Sequence, residues 1–191
     1  MRVSIVASLV FAVLAGACAG ETTQEEEMAE TTEPAEAPME ETTPATEGPD
    51  TTAQAVYDHL QEANYDEWAL WPDKGELYEG TEPHGMLLTT YVNDLAEDAL
   101  TNGAAEMPDG AIVVKDNYSP DSTLMAHTVM YKVDGYDANH SDWFWAKYGA
   151  DGEVQASGRV DSCAECHAQA SDQDDYLVTK MQQRTAGAGG S

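Results

Sequence analysis

Five residues near the end of the chain, Cys163-Ala164-Glu165-Cys166-His167, put two thiols three positions apart and an imidazole beside the second. Two thiols at this spacing can reach the two vinyl groups of one porphyrin while the adjacent imidazole takes an axial position of its iron, so the motif reads as attachment of a c-type haem. A simple disulfide between Cys163 and Cys166, a thioredoxin-like dithiol and half of a zinc site would use the same cysteines. Each explains less. A dithiol leaves His167 without a role and asks for a βαβ context, and zinc asks for a second Cys/His pair where the only other cysteine is Cys18. The expected cofactor is one covalently attached haem c, with His167 as the metal ligand.

The opposite axial position decides whether such an iron carries electrons, binds a gas or does chemistry. Met130, His127, Met125, Met107, Met86, His84, His140 and His59 are the side chains that could reach it. Strand alternation from Thr123 puts Leu124, Ala126, Thr128 and Met130 on one face, with Met125, His127, Val129 and Tyr131 on the other.

These residues need a fold to hold them, and the charge distribution shows where it lies. The chain has 191 residues with 36 Asp+Glu against 8 Lys+Arg, a formal charge of −28, which excludes nucleic-acid binding by phosphate neutralisation. Residues 20–53 hold 11 acids and no base, while 54–191 hold 25 acids and 7 bases. Fourteen of the 15 aromatics fall between Tyr57 and Tyr176, so one core is expected, over residues 54–183.

Met1 to Ala19 has an early arginine, an apolar run from Val3 to Leu14 and then small residues, the pattern of a secretory signal over residues 1–17. Ala15-Gly16-Ala17-Cys18 is a lipobox with alanine in place of leucine, so a lipid anchor on Cys18 is expected, an ordinary cleavage site being the other outcome. The expected location is the periplasm or the cell surface, held to a membrane as a lipoprotein. Residues 18–53 are acidic and apolar-poor and read as a disordered tether; residues 184–191 read as a loose tail.

Periodicity predicts helices over Ala53–Asn64 and Asn93–Asn102. Strands are expected over Met86–Val92, Ala111–Tyr118, Thr123–Val133, Trp143–Tyr148 and Glu153–Val160, the last two joined as a hairpin through Asp151-Gly152. The expected fold class is α+β, a predominantly antiparallel sheet with peripheral helices.

In order and interval, these segments resemble the cytochrome P-460 and cytochrome c′-beta group of small haem c proteins, from about Tyr65 to Thr179. The resemblance rests on Tyr65-x-x-Trp68, Thr90-Tyr91-Val92-Asn93, Met107 to Lys115, Val129-Met130-Tyr131-Lys132, Asp142-Trp143-Phe144-Trp145, the cysteine motif and Asp175-Tyr176. It implies a cytochrome P-460-like fold, and that Lys115 stands where the hydroxylamine-oxidising members join a lysine to the porphyrin edge. It also implies that Met130 stands where those enzymes place a carboxylate. A thioether is no proton acceptor, which favours a gas binder or an electron carrier with a methionine sixth ligand over hydroxylamine oxidation. The partners implied are a small gaseous or nitrogen-oxide ligand, a redox partner protein and a second copy of the chain in a homodimer.

Overall fold

The computed structural model describes residues 48–188. The signal segment, Cys18 and all of the tether before Gly48 lie outside the described residues.

A first helix, α1 (Ala53–Glu62), is capped by Thr52, whose hydroxyl accepts from the Ala55 amide at 3.2 Å. Ten residues are too few for a stable isolated helix, so its stability comes from packing, through the buried Val56 and Leu60. Thr51 to Ala53, assigned to the tether from sequence, therefore belong to the folded part, and the Tyr148 hydroxyl donates to the Ala53 carbonyl at 2.8 Å.

The sheet has seven antiparallel strands: β1 (Ala69–Leu70), β2 (Tyr78–Glu79), β3 (Leu87–Val92), β4 (Ile112–Tyr118), β5 (Leu124–Lys132), β6 (Trp143–Gly149) and β7 (Val154–Gly158). From β3 to β7 each strand pairs with the next in sequence, while β1 and β2 both pair with β3. The only long excursion inside this meander carries α2 (Asp94–Thr101), between β3 and β4. Asn93 fixes that excursion at both ends, its side-chain oxygen accepting from Ala96 of the helix at 3.1 Å and from Ile112 at 3.0 Å. The β6–β7 turn closes on Gly152, whose φ of +84° suits glycine and where a Cβ would collide with the Tyr57 hydroxyl.

Alternation along the strands divides the core between the two faces of the sheet. One face carries Ile112, Val114, Val129, Tyr131, Phe144, Ala146 and Tyr148 against α1 and Tyr65. The other carries Val92, Val113, Met130, Trp143 and Trp145 against Trp71, α2 and the C-terminal segment. That segment contains α3 (Asp161–His167), α4 (Ser171–Asp174) and α5 (Val178–Ala188). The last helix corrects the reading of a loose tail from Arg184: it runs on through Ala188, and Arg184 pairs with the buried carboxylate of Asp174 at 2.8 Å. The antiparallel sheet with peripheral helices is the α+β class expected from sequence.

Candidate haem site

Cys163, Cys166 and His167 occupy positions i, i+3 and i+4 of α3, a spacing that gathers all three side chains on one helical face. No disulfide joins Cys163 to Cys166, and burial pushes the Cys163 thiol up. The face opens into a cavity of about 560 Å³ between α3, the start of α5, the loop after β2 and the Met130 face of the sheet. That volume lies within the roughly 300–1,000 Å³ range of cofactor and ligand pockets.

His167 is oriented from behind. Its Nδ1 donates to the Tyr176 carbonyl at 2.7 Å, and since a carbonyl only accepts, the ring proton is on Nδ1 and the lone pair is on Nε2. Burial, reinforced by the charge on Lys115, lowers its pKa against the opposing effect of that carbonyl, and so favours the neutral, ligating form. Asp175 and Tyr176, at φ 48° and 63°, both adopt the left-handed conformation in the turn that presents the carbonyl. The Asp175 carboxylate anchors the turn, accepting from the Met107 amide at 2.8 Å and from Lys132 at 2.9 Å. Trp145 stands against the His167 ring at 4.9 Å between centroids. Its buried indole Nε1 has no hydrogen-bond partner among the described residues.

Lys115, Met130 and His84 line the same cavity. Lys115 projects from β4 with its ammonium 3.5 Å from the Thr179 hydroxyl, and burial, aided by the charge of Lys74, brings its pKa down to about 8. Met130 is buried in the sheet wall, paired in register with Val113 and Trp145. His84 comes from the loop between β2 and β3. Its Nδ1 faces the Asn117 side-chain oxygen at 3.0 Å, while the Asn117 amide donates to the Lys115 carbonyl at 2.7 Å, so Nδ1 carries the proton and Nε2 is bare. Burial lowers its pKa to about 4, with the charges of Lys115 and His167 adding to the effect.

The other residues considered for the sixth position stand elsewhere. Met86 and Met125 are exposed, Met107 is in the core, His140 pairs with Asp137 at 2.8 Å, and His59 is on α1. His127 points to the opposite face, where Asp116 at 2.7 Å and the Tyr65 hydroxyl at 2.9 Å hold it. Sequence reading missed Trp145, Asn117 and Thr179 as parts of the site, and also Lys74 and Lys147, which line the cavity. Alternation with Met130 and Lys115 was the one signal available for Trp145 and Lys147. The cavity thus holds three of the five lysines in a chain of formal charge −28, the charge an anionic occupant needs.

Two thiols, a neutral imidazole with a bare Nε2 and this cluster of cations together fit a haem c with its propionates. Among the described residues no group of three or more His, Cys, Asp or Glu side chains is placed to hold a metal ion, so the half-site reading for zinc finds no complement there. Compared with known families, residues 62–179 match the family model described as Cytochrome P460. No curated protein matches the chain.

Proposed function

The chain belongs to the cytochrome P460 family, and from that premise we propose that it is an exported single-haem c-type cytochrome that binds or converts small nitrogen oxides at the haem iron. The observation that carries this reading is the meeting, in one cavity, of the Cys163/Cys166/His167 face with the Lys115 amine.

A haem bound there supplies an iron that exchanges electrons and accepts a small ligand. The chain's own residues do the rest. Cys163 and Cys166 hold the porphyrin edge and His167 offers Nε2, its orientation fixed by the Tyr176 carbonyl. Lys74 and Lys147 supply positive charge for the propionates. Lys115, with its pKa near 8, keeps part of its amine neutral at physiological pH, the form able to bond a porphyrin carbon as in the hydroxylamine-oxidising relatives. Met130 brings a thioether where proton transfer would need a base, which favours nitric oxide over hydroxylamine as the ligand handled.

A second reading, an electron-transfer cytochrome with a methionine sixth ligand, draws on the presence of Met130 in the cavity. Titrating the ferrous holoprotein with nitric oxide tests the first reading. A new iron–nitrosyl spectrum supports it; an unchanged spectrum at excess nitric oxide, with no hydroxylamine oxidation, supports the carrier. Export, a lipid anchor at Cys18 in the periplasm or at the cell surface, a redox partner and self-association as a homodimer complete the proposal.

A further inference from the structure

We infer that His84 is the second axial ligand of the iron, so that the resting protein has an imidazole on each side of the haem and a nitrogen oxide must displace His84 to bind. This rests on the haem reading above and deepens it.

The ring centroids of His84 and His167 are 6.2 Å apart, with their planes at 80°. Two imidazoles sharing one ion through bonds of about 2 Å, with a ring radius of roughly 1 Å added on each side, stand roughly 6 Å apart. A small ligand lying between the iron and His84 would push the rings further apart by about its own length. The observed spacing matches that of two ligands on one ion. Axial ligation leaves the angle between two imidazole planes free, so 80° is compatible with it.

Both rings are also prepared in the same way. The His167 Nδ1–H donates to the Tyr176 carbonyl and the His84 Nδ1–H to the Asn117 side-chain oxygen, so each ring keeps its lone pair on Nε2. Asn117 is itself fixed: its side-chain oxygen accepts from the Gly85 amide at 3.2 Å, and its amide bonds the Lys115 and Ala126 carbonyls. Gly85 lies so close to β4 that a Cβ there would collide with the Tyr118 backbone, so the His84 segment is pinned against the sheet. Met130 remains a wall residue packed with Trp145. Displacement breaks one iron–nitrogen bond and forms one to the incoming ligand, with no net transfer of electrons. While bound, His84 has no lone pair left to act as a base.

The test is electron paramagnetic resonance and near-infrared spectra of the ferric holoprotein, with carbon monoxide binding to the ferrous form. The wild type should be low-spin with a bis-imidazole charge-transfer band, not a thioether one, and should bind carbon monoxide slowly. His84→Ala should be high-spin and bind carbon monoxide at least tenfold faster, and added imidazole should restore the low-spin spectrum. His84→Met should stay six-coordinate but move the band to the thioether position, which covers the case that the alanine variant does not fold. A high-spin wild type, or an alanine variant that stays low-spin without imidazole, overturns the assignment. If His84→Ala shows the expected change yet binds no nitric oxide, the ligand assignment stands and the nitrogen-oxide reading falls.

Discussion

The His167 imidazole and the Tyr176 carbonyl are joined by a 2.7 Å hydrogen bond, made by a turn whose two central residues, Asp175 and Tyr176, are both left-handed. This bond sets which nitrogen of His167 is free for iron. Its support comes from Asp175, 2% exposed, which is salt-bridged to Lys132 at 2.9 Å.

Asp175→Ala should therefore act at a distance. Removing one partner of a buried ion pair leaves the other charge uncompensated and costs about 3 kcal/mol or more, readable as a lowered denaturation midpoint. Because the Tyr176 turn loosens as well, the haem reduction potential should rise as the His167 ligand becomes less basic. An unchanged potential in a destabilised variant would leave Asp175 with a purely structural role.

Lys115 gives a pH signature. Its folded pKa of about 8 lies below the ordinary 10.5, so between these values the folded chain holds fewer protons than the unfolded one and stability climbs with pH; below about 8 Lys115 contributes no slope. Lys115→Met should remove that climb from denaturation midpoints. The neutral amine is also the form that can bond the porphyrin, a step that releases two protons and two electrons as N–C forms and N–H and C–H break, and so needs an oxidant. With peroxide added to the haem-loaded protein, the yield of that bond, read by intact mass, should increase with pH through about 8.

Salt should stabilise the fold. Residues 54–191 carry 25 acids against 7 bases, and three of the five lysines of the chain face the cavity, so the outer surface is nearly unrelieved negative charge. Since the screening length shrinks from roughly 30 Å at 0.01 M to roughly 3 Å at 1 M, the thermal midpoint of the holoprotein should rise across that range. A flat midpoint would contradict the repulsion argument.

Labelled fatty acid should enter the wild-type chain expressed in a bacterial host and not the Cys18→Ser variant. Recovery of an unlipidated soluble wild type would rule out the anchor.

Much of the fold was legible because the strands alternate cleanly and their ends carry turn residues. Asn93 ends one strand and caps a helix, and Asp151-Gly152 closes a hairpin, as their residue types imply. The C-terminal helices were less legible: α3 and α4 are short, and α5 is held by Arg184 and Asp174 from opposite ends of a segment with little apolar periodicity. In the site, the cysteine motif states its own geometry because i, i+3 and i+4 share a helical face. The opposite side of the cavity is different. His84 and His127 look alike in sequence, and only the sheet register and the Asn117 contact put one beside His167 and the other behind the sheet with Asp116.

The most direct test of the central claim is the intact mass of the purified protein, taken with the spectrum of its pyridine haemochrome. The account predicts a polypeptide heavier by one haem, a haemochrome with both vinyl groups saturated, and loss of that mass in Cys163→Ala/Cys166→Ala. A chain with the bare polypeptide mass, or a haem that acidified acetone extracts, would contradict it.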